Sequence, residues 1–149
     1  RARFLETYEA GMRGELDHWD RSAYGALALV IVFDQFPRNM FRGTPKAFAS
    51  DEKAKLIADR AIAEARDKAV DPEVHMFFYM PYMHSEALSD QERCVALMAQ
   101  GGKQENIKYA EIHRDAIARF GRFPHRNEIL GRKSTPEEIA YLEGGGFKG

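Results

Sequence analysis

The pattern of hydrophobic and polar positions is that of a helical protein from end to end. In the first helix, which ends near Gly14, apolar residues recur three or four positions apart. Its apolar residues are Phe4, Leu5, Tyr8 and Met12. The segment Leu29 to Phe33 also has the composition of a buried strand, but the chain offers no partner strands, so we interpret it as helix.

The second helix is predicted to be central in the fold. Ser22 can cap it, and it runs from Ala23 to about Phe36. Its stretch from Ala26 to Phe33 is apolar on every face, which is typical of a helix surrounded by other elements. Pro37 is expected to end this helix, because the residue before a proline disfavours helical angles.

The same pattern predicts five further helices. The third runs from about Ser50 to Val70, and the fourth starts at Asp71-Pro72-Glu73 and is kinked or ended by Pro81. A capping box at Ser89-Asp90-Gln91-Glu92 opens the fifth, and the sixth runs from about Gln104 to Phe120, where Gly121 stops it. The last helix runs from a capping box at Thr135 to Leu142. We therefore predict an all-α fold of about seven antiparallel helices, either a helical-hairpin array or a compact bundle. Residues 1–149 are expected to form a single helical domain with a flexible tail at 143–149.

Composition excludes several classes of protein. The 22 Lys and Arg residues balance 23 Asp and Glu residues, whereas a nucleic-acid-binding protein would carry a basic excess. The longest apolar run is too short to span a bilayer, and the charge gives no support for binding to an anionic membrane. The single cysteine, Cys94, excludes an intrachain disulfide and favours a reducing, cytoplasmic location. Cys94 is expected to be inert core.

Two turns of the chain repeat one another. The segments Asp34 to Pro45 and Phe120 to Pro136 each contain Phe-Pro, then Arg-Asn, then apolar residues, then Arg beside Gly, then Thr-Pro. An old duplication and chance both explain the repetition. Each turn has more arginine than its backbone requires, because turns need Gly, Pro or Asn for conformational reasons. These arginines are Arg38, Arg42, Arg122, Arg126 and Arg132.

The surplus arginines have three interpretations. Guanidinium groups after a helix C-terminus can bind its open carbonyls. Alternatively, the two turns meet and form an anion pocket, since guanidinium forks bind carboxylate or phosphate bidentately. In the third interpretation Asp34, Glu86 and Asp115 pair internally with the arginines and no ligand is bound.

The histidines offer general acid–base chemistry. His84 lies two residues from Glu86, and His113 lies on the inward face of the sixth helix. Asp115 is two positions from His113 and points elsewhere, so we expect it to pair with Arg119. The histidine spacing does not match a metal motif, and no metal is predicted. His125 lies within the second turn, while His18 and His75 are expected to be peripheral.

Three long motifs resemble those of a known family. Leu29 to Phe48, Pro81 to Glu92 and His113 to Glu138 are similar, in this order, to the domain of unknown function 924 family, a bacterial family of uncharacterised proteins. The resemblance extends from about Glu15 to Leu142. It implies an all-α fold with a tetratricopeptide-like arrangement of helices, and no known activity or substrate. The family pattern includes an aromatic N-terminal segment that is expected to be missing here.

The family motifs and the arginine-rich turns together lead to a functional hypothesis. We expect an uncharacterised bacterial protein that binds a small anionic ligand in a polar pocket, with acid–base chemistry by His84, Glu86 or His113 and without a cofactor. The predicted ligand-binding residues are Asp34, Gln35, Arg38, Asn39, Arg42, Arg119, Arg122, Arg126 and Asn127. The alternative is a tetratricopeptide-like module that holds a protein partner in a groove. Neither hypothesis predicts nucleic-acid or membrane binding, and neither predicts an oligomeric state.

Overall fold

The computed structural model describes residues 2–149, and these residues are helical, without strands. They divide into two compact units, of which the first ends at Pro81 and the second begins at Tyr82. We describe each unit by itself. The prediction that residues 1–149 form a single domain therefore stays a prediction.

Seven helices form in the described part of the chain when α2, a π-helical segment and α3 are counted as one uninterrupted helix. The α-helices are α1 (Ala2–Met12), α2 (Ala23–Val30), α3 (Phe36–Met40), α4 (Asp51–Ala63), α5 (Met80–Met83), α6 (Leu88–Ala99), α7 (Gln104–Phe120) and α8 (Pro136–Glu143). The π-helical segment is Ile31–Gln35, and short 3₁₀ helices lie at Asp17–Arg21, Pro45–Phe48, Arg66–Ala69, His75–Phe78 and Pro124–Arg126. The predicted all-α class is confirmed.

The core of the first unit forms where α2 packs on α4. Small side chains of α4, Ala54, Ala58 and Ala61, are fully buried and let the two helices approach closely. The central position predicted for the second helix is confirmed, because Leu29 and Val30 are also almost fully buried. Leu56 of α4 lies outside this core, with 56% of its surface exposed.

Pro37 does not end the second helix, contrary to the prediction. The helix widens into the π-helical segment Ile31–Gln35 and continues through α3, with Pro37 in the first turn of α3. Proline is tolerated there because it lacks only an N–H group that a first turn leaves without a partner. The amide of Phe36 bonds to the Ile31 carbonyl five residues earlier, which is the π-helical pairing.

The third and fourth predicted helices are shorter than expected. The third ends at Ala63 rather than near Val70, because Ala65 takes a left-handed conformation with φ of 57° that breaks the helix. The fourth does not start at Asp71. A turn and the 3₁₀ helix His75–Phe78 precede the single turn of α5.

The second unit is built on the antiparallel pair α6 and α7. A short connection joins them, and α6 buries Cys94 and Met98 while α7 buries Ala116 and Ile117. Cys94 is inaccessible, as predicted, and burial raises the pKa of its thiol to about 12.

The helix ends of this unit confirm two predicted signals and contradict a third. Gly121 ends α7 with φ of 71°, and Thr135 forms a complete capping box with Glu138 at the start of α8. The capping box at Ser89 is wrong, since α6 begins at Leu88 and Ala87 is its N-cap. Ser85 organises this end instead: its hydroxyl oxygen accepts the Ala87 amide and donates to Asp90.

Candidate functional site

Polar side chains of the first arginine-rich turn, together with Ser50 at the start of α4, bind the backbone around Pro37. Ser50 donates its hydroxyl to the Phe33 carbonyl at 2.6 Å, and that carbonyl would pair with the amide of residue 37 in an α-helix. Arg38 donates to the Asp34 carbonyl at 2.9 Å, and Asn39 donates to the Gln35 carbonyl at 3.1 Å. These side chains therefore stabilise the π-to-α transition.

Arg38 is also held by carboxylates. Its two terminal nitrogens bind Asp51 at 2.7 and 2.9 Å, which is the bidentate fork, and Nη1 lies 3.4 Å from Oδ1 of the buried Asp34. Gln35 donates to the other oxygen of Asp34 at 2.6 Å. Arg42, by contrast, is exposed. The first turn thus uses most of its polar groups within its own unit.

In the second unit, a carboxylate–guanidinium network joins the second turn to α8. Arg132 binds Glu86 through Nη1 at 2.8 Å and Nη2 at 3.1 Å, and its Nε donates to the Asn127 side chain at 3.0 Å. Asn127 in turn donates to Glu138 at 3.3 Å. Arg122 donates to both oxygens of Glu138, at 2.8 and 2.9 Å. We call these five residues the buried network.

Glu138 is the most strongly stabilised carboxylate of the buried network. Only 2% of its surface is exposed, and besides Arg122 and Asn127 it accepts the Thr135 amide at 2.9 Å. The hydrogen bond from Arg122 is the main reason that the pKa of Glu138 falls to about 2, and burial opposes this shift without overcoming it. Glu138 is therefore ionised throughout the physiological range.

Glu86 is occupied in the same way. It accepts the Phe123 amide at 2.6 Å as well as both Arg132 contacts. Burial favours its neutral form, but the bonds from Arg132 and Phe123 outweigh burial and lower the pKa of Glu86. A carboxylate held by these donors is poorly suited to act as the basic partner of His84. For Arg38, Arg122 and Arg132 the internal-pairing interpretation describes the contacts that form.

Asp115 and Arg119 form ion pairs with residues other than the predicted ones. Asp115 binds its neighbour Arg114 at 3.2 Å rather than Arg119. Arg119 reaches Glu137 on α8 at 3.2 Å, and both side chains are more than half exposed. The expectation of an Asp115–Arg119 pair is wrong, because the helix C-terminus brings Arg119 beside the first turn of α8 instead.

Three histidines and an arginine come together in the second unit, and we call them the histidine cluster: His84, His113, His125 and Arg126. The rings of His84 and His113 are 6.5 Å apart, centre to centre. Arg126 donates to the His84 carbonyl at 2.8 Å and stacks at 4.7 Å on the ring of Phe123. Phe123 also contacts His113 and His125, at 5.7 and 5.6 Å.

One ring nitrogen of His113 is engaged in a hydrogen bond with the backbone. Its Nδ1 lies 2.8 Å from the Tyr109 carbonyl, one turn earlier in α7, and can only donate to that oxygen. In the neutral ring Nε2 therefore carries the lone pair. The side chain is 4% exposed, and burial is the main cause that lowers its pKa to about 4, with the positive charges of His84, His125 and Arg126 adding to the effect.

His125 shares this environment. Its Nδ1 is buried and has no hydrogen-bond partner. Burial first and the charge of Arg126 second lower the pKa of His125 to about 4. At neutral pH His113 and His125 are thus neutral imidazoles next to the permanently charged, buried guanidinium of Arg126.

An aromatic side chain from the end of the chain covers this cluster. The ring of Phe147 lies 4.3 Å from that of His113, 5.2 Å from His125, and 6.1 Å from both Tyr109 and Phe123. The Phe147 amide donates to the Tyr141 hydroxyl oxygen at 3.0 Å. The region predicted as a tail therefore contributes a ring to the site.

The predicted site residues fall into separate groups. Asp34, Gln35, Arg38, Asn39 and Arg42 lie in the first unit, and His84, Glu86, His113, Arg119, Arg122, Arg126 and Asn127 lie in the second. Within the second unit, Arg126 joins the histidines, whereas Glu86, Arg122 and Asn127 belong to the buried network. The hypothesis that the two turns meet stays a prediction.

Some residues of the site carried little signal in the sequence. In the sequence, Glu138 carried only the signal of a capping box. Its ion pair with Arg122 depends on the proximity of the second turn to α8, which the sequence does not show. Asp51 follows Ser50 at a helix start and was not singled out. Tyr109 and Phe147 are ordinary aromatics in the sequence, and only the folded chain brings them to His113.

Two classes of site are absent from the described residues. No group of three or more His, Cys, Asp or Glu side chains between residues 2 and 149 is arranged to hold a metal ion. Within the same range, none of the helices combines the length and the apolar character needed to cross a membrane.

Comparison with protein families decides the affiliation of the chain. The model of the family described as "Bacterial protein of unknown function (DUF924)" matches residues 1–146. The chain belongs to the DUF924 family. The resemblance seen in the three sequence motifs is thereby confirmed, while the tetratricopeptide-like arrangement stays a prediction. None of the curated proteins matches the chain.

The DUF924 fold is also found in a solved structure. The structure of a protein of unknown function from Agrobacterium tumefaciens is similar to this chain, with 46% sequence identity and a TM-score of 0.92. The match covers 96% of this chain and 81% of that protein.

Proposed function

We propose that this DUF924 protein binds a small anionic ligand at the histidine cluster, and that Nε2 of His113 accepts a proton from it. The observation that carries the proposal is the geometry of His113, whose Nδ1 is bound to the Tyr109 carbonyl while its ring lies among His84, His125 and Arg126. Of the predicted residues, this proposal places His84, His113 and Arg126 in the site and assigns Arg38 and Arg122 to the stability of the fold.

Electrostatics supports an anion as the ligand. The Arg126 guanidinium is a buried positive charge that donates to the His84 carbonyl, and Nδ1 of the neighbouring His113 is bound to the Tyr109 carbonyl. An anion beside Arg126 would offset the cost of burying that charge. His125 supports the same assignment, since its Nδ1 is buried and has no hydrogen-bond partner.

The anion would also switch on the base. With a pKa of about 4, His113 by itself is a weak base. A negative charge within a few ångströms favours the imidazolium form and raises the histidine pKa toward neutral pH, where general acid–base catalysis is most effective. Binding and proton transfer are therefore linked: the ligand that needs the base is the one that makes His113 basic.

Titration of the five histidines of the chain tests whether the cluster binds an anion. The imidazole resonances are followed by NMR between pH 3 and 8, first without and then with phosphate or acetate as probes. We expect a saturating probe to raise the pKa of His113 by one unit or more. His18 and His75, in the first unit, are internal controls and should not shift. If no probe changes the His113 resonance, the cluster is not an anion site.

Two substitutions of His113 distinguish the roles of its two ring nitrogens. His113→Asn keeps a donor near the Nδ1 position and removes Nε2, whereas His113→Gln does the reverse. We expect His113→Asn to retain the fold and to lose proton transfer from the ligand. Equal behaviour of the two variants would contradict a special role for Nε2. Native mass spectrometry of freshly purified protein then shows whether a copurified anion is present in the wild type and reduced in His113→Asn.

The interaction-module hypothesis has one feature in its favour. Aromatic and aliphatic side chains line a groove of the first unit, among them Phe4, Trp19, Ile31 and Phe36. Phe4 is 54% exposed there. Exposed aromatics can mark a surface that binds protein, so this alternative predicts that Phe4→Ser abolishes partner capture without changing the His113 titration.

A further inference from the structure

The position of Phe147 indicates more about the ligand than its charge. We propose that the histidine cluster takes an anion that carries an aromatic ring, and that the Phe147 side chain occupies the ring position until such a ligand displaces it. This inference rests on the proposed function, since it assumes that the anion binds beside Arg126.

Four rings surround Phe147, which also packs against Ala116 and Ile117 of α7. The interplanar angles are 88° to Tyr109, 82° to His125, 66° to Phe123 and 55° to His113, so most of the contacts are edge-to-face. Aromatic pairs favour this geometry because the positive edge of one ring meets the negative face of another. A flat ring fits this site better than a saturated ring of the same volume does.

The anionic end of the ligand would lie close to the same ring position. Phe123 contacts Phe147 on one side and carries the Arg126 guanidinium, 4.7 Å from its centre, on another. An anionic group joined to the ring by a short linker can therefore reach Arg126. Arylalkanoic acids and aryl phosphates have this combination of ring and charge.

Phe147 is attached so that it can leave. It follows Gly144, Gly145 and Gly146, and the fold-back onto Tyr141 depends on two of these glycines. Gly145 has φ of 88°, and a Cβ on Gly146 would lie 2.6 Å from the ring of Tyr141. Two hydrogen bonds to Tyr141 hold the segment, from the Phe147 amide to the hydroxyl oxygen and from the Gly146 amide to the carbonyl at 2.8 Å, and the half-buried ring packs on the core cluster of Ala116, Ile117 and Phe123. Release of this segment would uncover the rings of Tyr109 and His113 and the apolar side chains of α7 on which Phe147 packs.

A competition of this kind has a measurable consequence. While Phe147 occupies the cavity, the apparent affinity for a ring-bearing ligand is reduced by the fraction of molecules that are closed. Phe147→Ala removes the phenyl ring that competes with the ligand and keeps the surrounding rings of Tyr109, His113, Phe123 and His125. Gly146→Ala keeps the phenyl ring but prevents the fold-back, so it serves as a second, independent variant if Phe147→Ala fails to fold.

The experiment measures phenylacetate, cyclohexylacetate and acetate binding to the wild type and to both variants, by calorimetry and by the His113 resonance. We expect both variants to bind phenylacetate at least about tenfold more tightly than the wild type does, with acetate unchanged and cyclohexylacetate weaker than phenylacetate. If acetate or phosphate moves the His113 resonance but the variants gain nothing for phenylacetate, the ring inference is overturned and the proposed function stands. If no anion moves that resonance in any of the three proteins, both are overturned.

Discussion

Ser50 donates its hydroxyl to the carbonyl oxygen of Phe33 at 2.6 Å, in the fully buried interior of the first unit. The two residues are 17 positions apart. Their bond joins the start of α4 to the π-helical segment, where Pro37 cannot supply an amide donor. The chain thus accommodates a helix distortion at Phe36-Pro37, and the side chains of Arg38, Asn39 and the distant Ser50 bind the backbone carbonyls of the distorted segment.

Ser50→Ala should destabilise the protein. The substitution leaves the buried Phe33 carbonyl without this donor, and a buried acceptor that loses its partner costs about 1 to 3 kcal/mol. Urea unfolding followed by circular dichroism measures the difference. Ser89→Ala is the matched control, because Ser89 is exposed and forms no capping bond, so its effect should stay within about 0.5 kcal/mol. Equal losses in the two variants would argue against the role of the Ser50–Phe33 bond.

Glu138→Gln should have a larger effect than the same change at the preceding residue. Glu138 accepts bonds from Arg122, Asn127 and Thr135 in a buried position, and neutralising it leaves Arg122 without its counter-charge. We expect a loss of about 2 to 4 kcal/mol in the free energy of unfolding. Glu137→Gln is the control, since Glu137 is exposed and its pair with Arg119 should contribute less than about 1 kcal/mol.

The acid sensitivity of Glu138 gives a second readout for the same pair of variants. A carboxyl whose pKa is lowered by folding stabilises the protein above its unfolded pKa and loses that contribution as pH falls. The pKa of Glu138 falls from 4.5 to about 2, so the window runs between these values. Stability should therefore drop less steeply below pH 4.5 in Glu138→Gln than in Glu137→Gln.

Periodicity and end signals predicted the elements of the second unit well. Gly121 as a stop and the Thr135–Glu138 capping box are local signals that act over three or four residues, and both form as predicted. Signals of this kind did not predict where a helix ends when contacts from a distant part of the chain stabilise an irregular backbone. Pro37 was predicted to stop a helix, and the contribution of Ser50, which lets the helix continue, comes from a distant part of the sequence.

The candidate site was predictable in its residue types and not in its grouping. Arginine beside a turn can meet a carboxylate or a ligand, and the choice depends on which acid the fold brings near. Arg132 meets Glu86, 46 residues earlier in the chain, while Arg126 stacks on Phe123 among the histidines. The inward position of His113 followed from helical spacing, but the approach of Phe147 followed from no pattern.

Buried neutral histidines should make the protein less stable in mild acid. Folding lowers the pKa of His113 and His125 from 6.5 to about 4, so below pH 6.5 the unfolded chain takes up protons that the folded chain cannot. Stability is thus unaffected by these groups above pH 6.5 and falls as pH decreases toward 4. Each group contributes a slope of up to about 1.4 kcal/mol per pH unit.

Unfolding free energies measured between pH 7 and 4.5 check this slope. His113→Asn should reduce it by about one proton, whereas His18→Asn, at an exposed position of the first unit, should leave it unchanged. An unchanged slope in His113→Asn would mean that His113 titrates normally and is hydrated in the folded protein.

Arg38→Lys should be costly although it keeps the charge. Both terminal nitrogens of Arg38 bind Asp51, and one of them also binds the Asp34 carbonyl; a lysine ammonium cannot reproduce this planar fork. We expect a loss of about 1 to 3 kcal/mol in urea unfolding. Arg42→Lys, at an exposed position four residues later, should change stability by less than about 0.5 kcal/mol. If Arg38→Lys is as stable as Arg42→Lys, the Arg38–Asp51 pair does not stabilise the fold, and Arg38 returns as a candidate for anion binding.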